Sequence, residues 1–401
     1  MALTNQHIFI LGSAKFDGEY ESSIFTLAKQ LAKNHMVYYI DYPYTITDTV
    51  RFYKTEQFKV RKPHFRWNAS GIIRTENANL KILILPILPS ISFFPEGKLY
   101  RKLLVNNERI ISNRIKKTIH LNQIKDFIYI NSFNFHYPDI ANYLKPKLTV
   151  YHCVDPLIIN YDKKHGIISE KELVIKSDLV ICTSKQLFLD KKELNNDTYF
   201  VPNAANLEFS SRALDDNLEI HSSIAQLSHP IVGYFGNIER RIDFDLLKEV
   251  IVGNADINFV FAGPVSKEFM PDWIDKMPNL HFIGRIAYEL MPNVIKGFDV
   301  AIIPFKKDEV SATIFPLKLF EYLGAGKPVV STNFNPDLKE FTEGTVSYCS
   351  DPNDFTQAIR SALIDSEEKK AQRVAVAAKN TWEHRSKEIE ELLEIYLDMK
   401  R

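Results

Sequence analysis

IFPLKLFEYLGAGKPVVST, residues 314–332, reads as a short helix followed at once by a buried strand. Pro316 suits a first helical turn, where its missing N–H costs nothing, and Ser311 and Thr313 lie where caps are expected. Gly324 and Gly326 end the helix, and KPVVST is a short β-branched run of the kind that fills a buried strand. The run FDVAIIPF before it supplies another strand, so the segment is a strand, helix, strand unit, and such crossovers make parallel sheets.

Working outward, HPIVGYFG, INFVFAGP and LHFIGR precede this unit and TVSYCS follows it. An independent series fills the first half: HIFILGS, a helix marked by Ile24, Leu27, Ala28 and Leu31, then MVYYIDYP, KILILPIL, DFIYINS, LTVYHCVD and DLVICTS, ending near TYFVPNAAN. The alternation restarts after about residue 205, and the polar stretch 206–228 reads as a linker. The fold class is α/β, two Rossmann-like doubly wound domains: residues 1–205, residues 206–380, and a final helix over 381–401. Its apolar face, Ile389, Leu392, Leu393 and Tyr396, is expected to dock back on the first domain. Two such domains are expected to face a cleft at the carboxyl ends of their strands, where open α/β sheets take ligands.

A chain of 401 residues exceeds what one core supports, since single cores stop growing at roughly 250–300 residues. Cys153, Cys182 and Cys349 are odd in number, far apart and set in apolar runs, which fits buried thiols in a reducing compartment and no metal site. No signal-like leader precedes the first strand, and no apolar run approaches the roughly 18 residues of a membrane span, so a cytoplasmic placement is expected. Charge is asymmetric: residues 1–200 carry 28 Lys and Arg against 19 Asp and Glu, residues 201–401 carry 22 against 31. The basic half points to an anionic partner, but it lacks a helix-turn-helix, finger or RNP motif, which argues against nucleic acid.

The helix start near Leu317 offers unpaired N–H groups and a positive dipole end to a phosphate, and Lys318 adds a mobile charge. Glu321, three residues on, shares its face and suits the two hydroxyls of a ribose. The plain alternative is a surface Lys–Glu pair.

The surroundings decide between them. VPNAAN, VGYFGNIERRIDFDLL, FVFAGP, LHFIGRIAYELMPNVIKGFDVAIIPF and PLKLFEYLGAGKPVVST, in this order, resemble the GT-B glycosyltransferases of the group 1, family 4 type over about residues 200–340. The resemblance implies sugar transfer from a nucleoside diphosphate sugar to an acceptor hydroxyl, with retention, without a metal and without a cofactor beyond the donor itself. It implies that Glu321 holds the ribose and that Gly236, Arg240 and Arg241 meet the diphosphate. Gly284, Arg285 and Ile286 would lie along the base, and Ser311, Thr313 and Lys318 complete the donor set. A UDP-sugar is favoured over a GDP-sugar. Two positions depart from the family: Thr313 stands where its first glutamate belongs, eight residues before Glu321, and RRIDFD lacks the usual Lys-Gly.

The first domain is then expected to hold the acceptor, a glycan or lipid-linked intermediate of polysaccharide biosynthesis. Asp155, directly after a strand, and His136, in NSFNFHYPD, are the candidate bases, and Asp17, Gly18, Glu19 and Tyr20 form the candidate acceptor loop. Residues 86–117 set Ile91, Phe93 and Phe94 beside a helix carrying Lys98, Arg101, Lys102, Arg109, Arg114, Lys116 and Lys117, a pattern that fits peripheral contact with an anionic inner membrane face. The alternative there is an amphipathic helix packed on its own domain. A nucleotide-sugar epimerase, and a non-catalytic nucleotide-sugar or partner-binding protein, are the competing functions.

Overall fold

Four consecutive residues of the first strand, Ile8 to Leu11, are fully buried, as a strand covered on both faces must be. In the computed structural model, which describes residues 5–18, 22–157 and 160–400, this strand lies in the middle of an eight-stranded sheet. The chain divides into two units, Met1–Pro202 with Ser386–Arg401, and Asn203–Arg385.

In the first unit the strands are β1 (His7–Gly12), β2 (Met36–Ile40), β3 (Ile72–Arg74), β4 (Leu80–Leu83), β5 (Ile128–Ser132), β6 (Leu148–Cys153), β7 (Leu179–Cys182) and β8 (Thr198–Phe200). Their order is β3-β4-β2-β1-β5-β6-β7-β8, parallel except for β3 against β4. Seven were legible as apolar runs; β3, three residues long, is too short to give a period. The helices are α1 (Ser23–Leu31), α2 (Ile46–Phe52), α3 (Glu56–Arg61), α4 (Lys98–Leu121), α5 (Ile140–Leu144), α6 (Asn160–Lys176) and α7 (Lys185–Lys192). The strand order reverses between β1 and β5, where Asn134 Nδ2 donates to the Gly12 carbonyl at 3.0 Å.

The basic helix α4 is mainly a packed helix. Tyr100, Leu104, Ile111 and Ile115 are buried, and Arg114, read as a surface cation, is buried too, donating to the carbonyls of Ala69 and Arg66 at 2.7 Å each. Arg101 turns to Glu96 and Ser169, and Ile91 is buried, so of the three apolar anchors only Phe93 stands well exposed.

The second unit has β9 (Ile231–Phe235), β10 (Asn258–Ala262), β11 (Leu280–Gly284), β12 (Val300–Ile303), β13 (Val329–Thr332) and β14 (Val346–Cys349), in the order β11-β10-β9-β12-β13-β14 and all parallel. Its helices are α8 (Leu207–Ser210), α9 (Ser222–Ala225), α10 (Phe244–Val252), α11 (Met291–Lys296), α12 (Leu317–Gly324), α13 (Leu338–Thr342), α14 (Pro352–Ala362) and α15 (Glu367–Lys379), and the chain ends in α16 (Trp382–Met399). The stretch 206–228 is no linker. Its few apolar side chains fill notches left by glycines: Leu207 sits where a Cβ on Gly324 would go, and Ile220 and Ile224 where one on Gly297 would go.

Helix α16 begins in the second unit, and from Ser386 onward its residues belong to the first. Tyr396 donates to Asp197 at 2.7 Å and meets the hydroxyl of Tyr199 at 3.1 Å, Glu390 reaches Asn34 and His35, and Lys400 pairs with Asp178. Leu393 is fully buried there. Among the described residues no helix is long and apolar enough to cross a membrane.

Candidate functional site

In the second unit the strand order reverses between β9 and β12, the point at which a crevice opens in sheets of this kind. Three glycines stand at or just past the ends of β9, β10 and β11, each at positive φ: Gly236 at 143°, Gly263 at 144° and Gly284 at 74°. Gly236 N–H donates to the Ala262 carbonyl and Gly263 N–H to the Gly284 carbonyl, both at 2.8 Å. A Cβ on Gly263 would lie 2.0 Å from the Gly236 oxygen, so the backbones pass each other there as only glycine allows.

The segment after Gly236 bridges the reversal point. Ile238 pairs with Val265 beyond β10, while Asp243 N–H donates to Pro304 O and Lys306 N–H to Arg241 O beyond β12. This holds Arg240 and Arg241 beside the crevice, both half-buried and both paired with Glu239, a residue the sequence did not flag.

Lys318, on the first turn of α12, is not the mobile charge expected. Its ammonium donates to the Tyr234 hydroxyl at 2.9 Å and lies 4.6 Å and 4.9 Å from the ring centroids of Tyr234 and Phe305. A Cβ on Gly236 would approach its Nζ to 2.8 Å, so ammonium and glycine are immediate neighbours. Burial, and then the Arg241 charge, push the lysine down to about 7. The hydrogen-bond partner of this ammonium is a phenol, while the carboxylates of Glu321 and Glu239 act on it as more distant charges.

Glu321 is 6% exposed, one turn further along α12, and its Oε1 accepts from the Tyr288 hydroxyl at 2.8 Å. Tyr322 then binds α12 to the sheet, its hydroxyl accepting from Phe235 N–H at 2.7 Å. Tyr288, Tyr234 and Tyr322 were missed because each stands inside an apolar run and reads there as core; only the hydroxyl's direction sets them apart. Gly284 carries the positive φ of its turn, Arg285 is exposed, and Ile286 packs partly on the core.

Ser311 and Thr313 do not cap α12. They form a separate turn, with Thr313 Oγ1 donating to Val310 O and Ser311 Oγ buried without a partner. Pro316 is the residue just before the helix, and no side chain caps that end. In the loop before this turn Asp308 accepts from Ser311 N–H, and Glu309 is exposed.

In the first unit His136 is half-buried, 3.5 Å from Asp162 on α6, with its ring against Phe135. Asp155 is exposed two residues beyond β6. Asp17 is held in a fork by Arg61, at 2.6 and 2.7 Å, so its carboxylate serves the fold of its loop. Gly18 is exposed; Glu19 and Tyr20 lie outside the described residues. Among the described residues no three His, Cys, Asp or Glu side chains converge as a metal site, and Cys153, Cys182 and Cys349 are free and buried.

Residues 229–365 match the family model described as Glycosyl transferases group 1. TuaH of Bacillus subtilis strain 168, a candidate teichuronic acid biosynthesis glycosyltransferase, is 29% identical over 238 residues, which are 53% of this chain and 58% of TuaH. The chain thus spans somewhat over half the length of that relative. Among solved structures, the UDP-forming alpha,alpha-trehalose-phosphate synthase of Burkholderia vietnamiensis superposes with a TM-score of 0.68 at 9% identity, over 96% of each chain. Anabaena Alr3699/HepE, solved with UDP and glucose, gives 0.64 at 13% identity, over 97% of this chain and all of that one. With identities this low the likeness carries the fold, that of the GT-B class. Residues 229–365, the stretch that matches the group 1 glycosyl transferase model, run from just before β9 to past β14 and so include Gly236, Lys318 and Glu321.

Proposed function

We propose that the chain is a glycosyltransferase that moves a sugar from a nucleoside diphosphate sugar to an acceptor hydroxyl. The observation that carries this is Lys318, a half-buried ammonium held on a phenol and two aromatic faces beside Gly236, at the reversal point of the sheet. The diphosphate takes the place opposite Lys318, Arg240 and Arg241, the ribose hydroxyls meet Glu321, and the base lies along Gly284 to Ile286. Ser311 and Thr313 stand near the sugar. UDP is the favoured nucleotide, in keeping with the UDP bound by Anabaena HepE.

In the reaction the bond from the sugar's anomeric carbon to the diphosphate oxygen breaks, and the acceptor oxygen takes that carbon. The three cations stabilise the charge that develops on the leaving diphosphate, without a metal ion. The proposal includes retention, with attack from the leaving-group face and the hydroxyl proton passing to the diphosphate. Were the product inverted, Asp155 or His136 would serve as the base; the anomeric configuration of the product, read by proton NMR, separates the two. The acceptor is a glycan or lipid-linked glycan.

Thermal unfolding with UDP, GDP, ADP and dTDP tests the donor site. A nucleotide at 100 times its Kd adds about 2.7 kcal/mol of stability. Wild type is expected to respond to one of the four, UDP first. Glu321→Ala is expected to bind it roughly ten to a hundred times more weakly, the loss of a charged hydrogen-bonding group. A folded protein indifferent to all four nucleotides would sink the proposal.

Tyr288→Phe gives a finer test. The carboxylate loses one donor while the ring still packs near Phe209. Nucleotide affinity is expected to drop by about 1 kcal/mol, some fivefold, when measured by calorimetry. An unchanged affinity would mean that the hydroxyl does not orient Glu321.

A further inference from the structure

Helix α2 has two sides of different character. On its inner side Phe52 lies under the Lys15 ammonium at 4.4 Å, and Tyr44, just before the helix, lies 5.2 Å from the same atom. Lys15 and Asp17 belong to the loop after β1, the loop read as acceptor-binding. That loop is laced to the next helix as well: Gln57 of α3 donates to Asp17 O at 2.9 Å and accepts from Lys15 at 3.1 Å, and Arg61 forks Asp17.

The outer side of α2 carries Ile46 and Val50, with Tyr53 directly after its last residue, at spacings of four and three, and these are 57%, 71% and 56% exposed. No residue of α2 is buried. Three apolar side chains along some 10 Å of helix face outward, where a water-facing helix would carry charge. The start of α2 is bonded to the segment holding the exposed anchor Phe93: Ile46 N–H donates to Leu88 O, and both the N–H and the hydroxyl of Thr47 reach Ser90 Oγ. Phe93 is 68% exposed and Leu99, at the start of α4, 57%.

The segments that carry these side chains are rich in cations. Residues 46–102 hold 11 Lys and Arg against 4 Asp and Glu, so most of the positive excess of the first half is concentrated here. Arg51, Lys54, Lys98 and Lys102 are all exposed, and Lys164 of α6 donates to the carbonyls of Ser92 and Phe93. Exposed apolar side chains on segments that also carry exposed long cationic side chains match an anionic lipid surface in chemistry.

We propose that the outer face of α2, with Phe93 and Leu99, seats the first unit on an anionic membrane, and that the same helix thereby holds the loop of Lys15 to Gly18 at headgroup level. The inference rests on the transferase reading only for its consequence, that the acceptor is a lipid-linked glycan whose head reaches this loop from the membrane. The expected basic helix α4 is not the main contact; it contributes Lys98, Leu99 and Lys102 at its start, and the insertion is made by α2 and Phe93.

The test is co-sedimentation of the full chain with vesicles, comparing phosphatidylcholine alone with a mixture containing phosphatidylglycerol. Wild type is expected to bind the anionic vesicles at least tenfold better than the neutral ones, and to lose that preference at high salt. Val50→Asp and Phe93→Asp, both at exposed positions, are each expected to lower the partition coefficient about tenfold or more. Lys98→Glu with Lys102→Glu is expected to lower binding to the anionic vesicles alone. Stabilisation by nucleotide, a property of the other unit, should be the same in every variant, so failure of the membrane inference and failure of the donor site are read separately. Equal binding by wild type and a Val50→Asp, Phe93→Asp double variant, or no vesicle binding by wild type, overturns the proposal. So does a self-associated form in sedimentation velocity that Val50→Asp dissolves, since the face would then belong to a second copy.

Discussion

Lys318→Gln is expected to lower kcat for sugar transfer by about 10² to 10³, the usual cost of removing one fixed donor from a developing oxyanion, while the fold is kept. The ammonium is fixed by Tyr234 and Phe305 and needs no rearrangement when the diphosphate leaves. A second readout isolates the lysine. In the free protein burial and Arg241 hold it down to about 7, and phosphate oxygens favour its charged form. Binding then takes up a proton, so nucleotide affinity should fall as pH rises above about 7. Stability of the ligand-free protein runs the other way. The unfolded chain keeps this proton up to the ordinary lysine range, so from about pH 7 to that range the unfolded state binds more protons and stability rises with pH. Lys318→Gln should flatten both slopes. Calorimetry across pH 6 to 9 and thermal unfolding over the same range measure them; slopes that persist in the variant would show that another group titrates.

Arg61→Met is expected to destabilise the first unit by about 3 to 5 kcal/mol, the cost of stranding a buried charge. Arg61 is fully buried, with its Nε 2.6 Å from Asp41 Oδ2 and its fork on Asp17. Burial works against the guanidinium's charge, and hydrogen bonds to Asp17 and Asp41 outweigh it, leaving it even harder to deprotonate than an ordinary arginine. Without it Asp41, 1% exposed, keeps the Phe16 N–H as a donor but loses the cation hydrogen-bonded to it, leaving the more distant charge of Lys15. The double variant Arg61→Met, Asp41→Asn should recover most of the loss, because removing both partners is far cheaper than removing one. Urea titration followed in the first unit measures this; a single variant within 1 kcal/mol of wild type would mean that water reaches Asp41.

The strands of both units were legible because parallel strands are buried on both faces and leave unbroken apolar runs such as FIL in β1 and VAII in β12. What escaped were features without a period. The three-residue β3 is one, and the packed stretch 206–228 is another, since filling a glycine notch with Leu207 or Ile224 needs one side chain and no pattern. At the site, Lys318 and Glu321 could be named from their spacing on a helix start, and Gly236 from the resemblance to the family. Their partners could not: that Tyr234 holds Lys318 and Tyr288 holds Glu321 depends on hydroxyl direction across 84 and 33 residues of sequence. Arg114 marks the opposite error, a charged side chain read as a surface group that the fold uses internally; Asp17, read as an acceptor-loop residue, is also held by Arg61 within its own domain.

The path of α16 has a consequence for how the molecule is made. The second unit is one uninterrupted stretch, Asn203–Arg385, whereas the first needs both Met1–Pro202 and Ser386–Arg401. On a ribosome the second unit therefore has all of its residues before the first has its last helix. Domains commonly fold in the order in which they emerge; here the earlier sheet must wait, with the sites that receive Leu393 and Tyr396 uncovered, until the later domain has been synthesised in full. Nascent chains arrested before Ser386 should accordingly carry a protease-resistant second unit beside a first unit that is still open to cleavage.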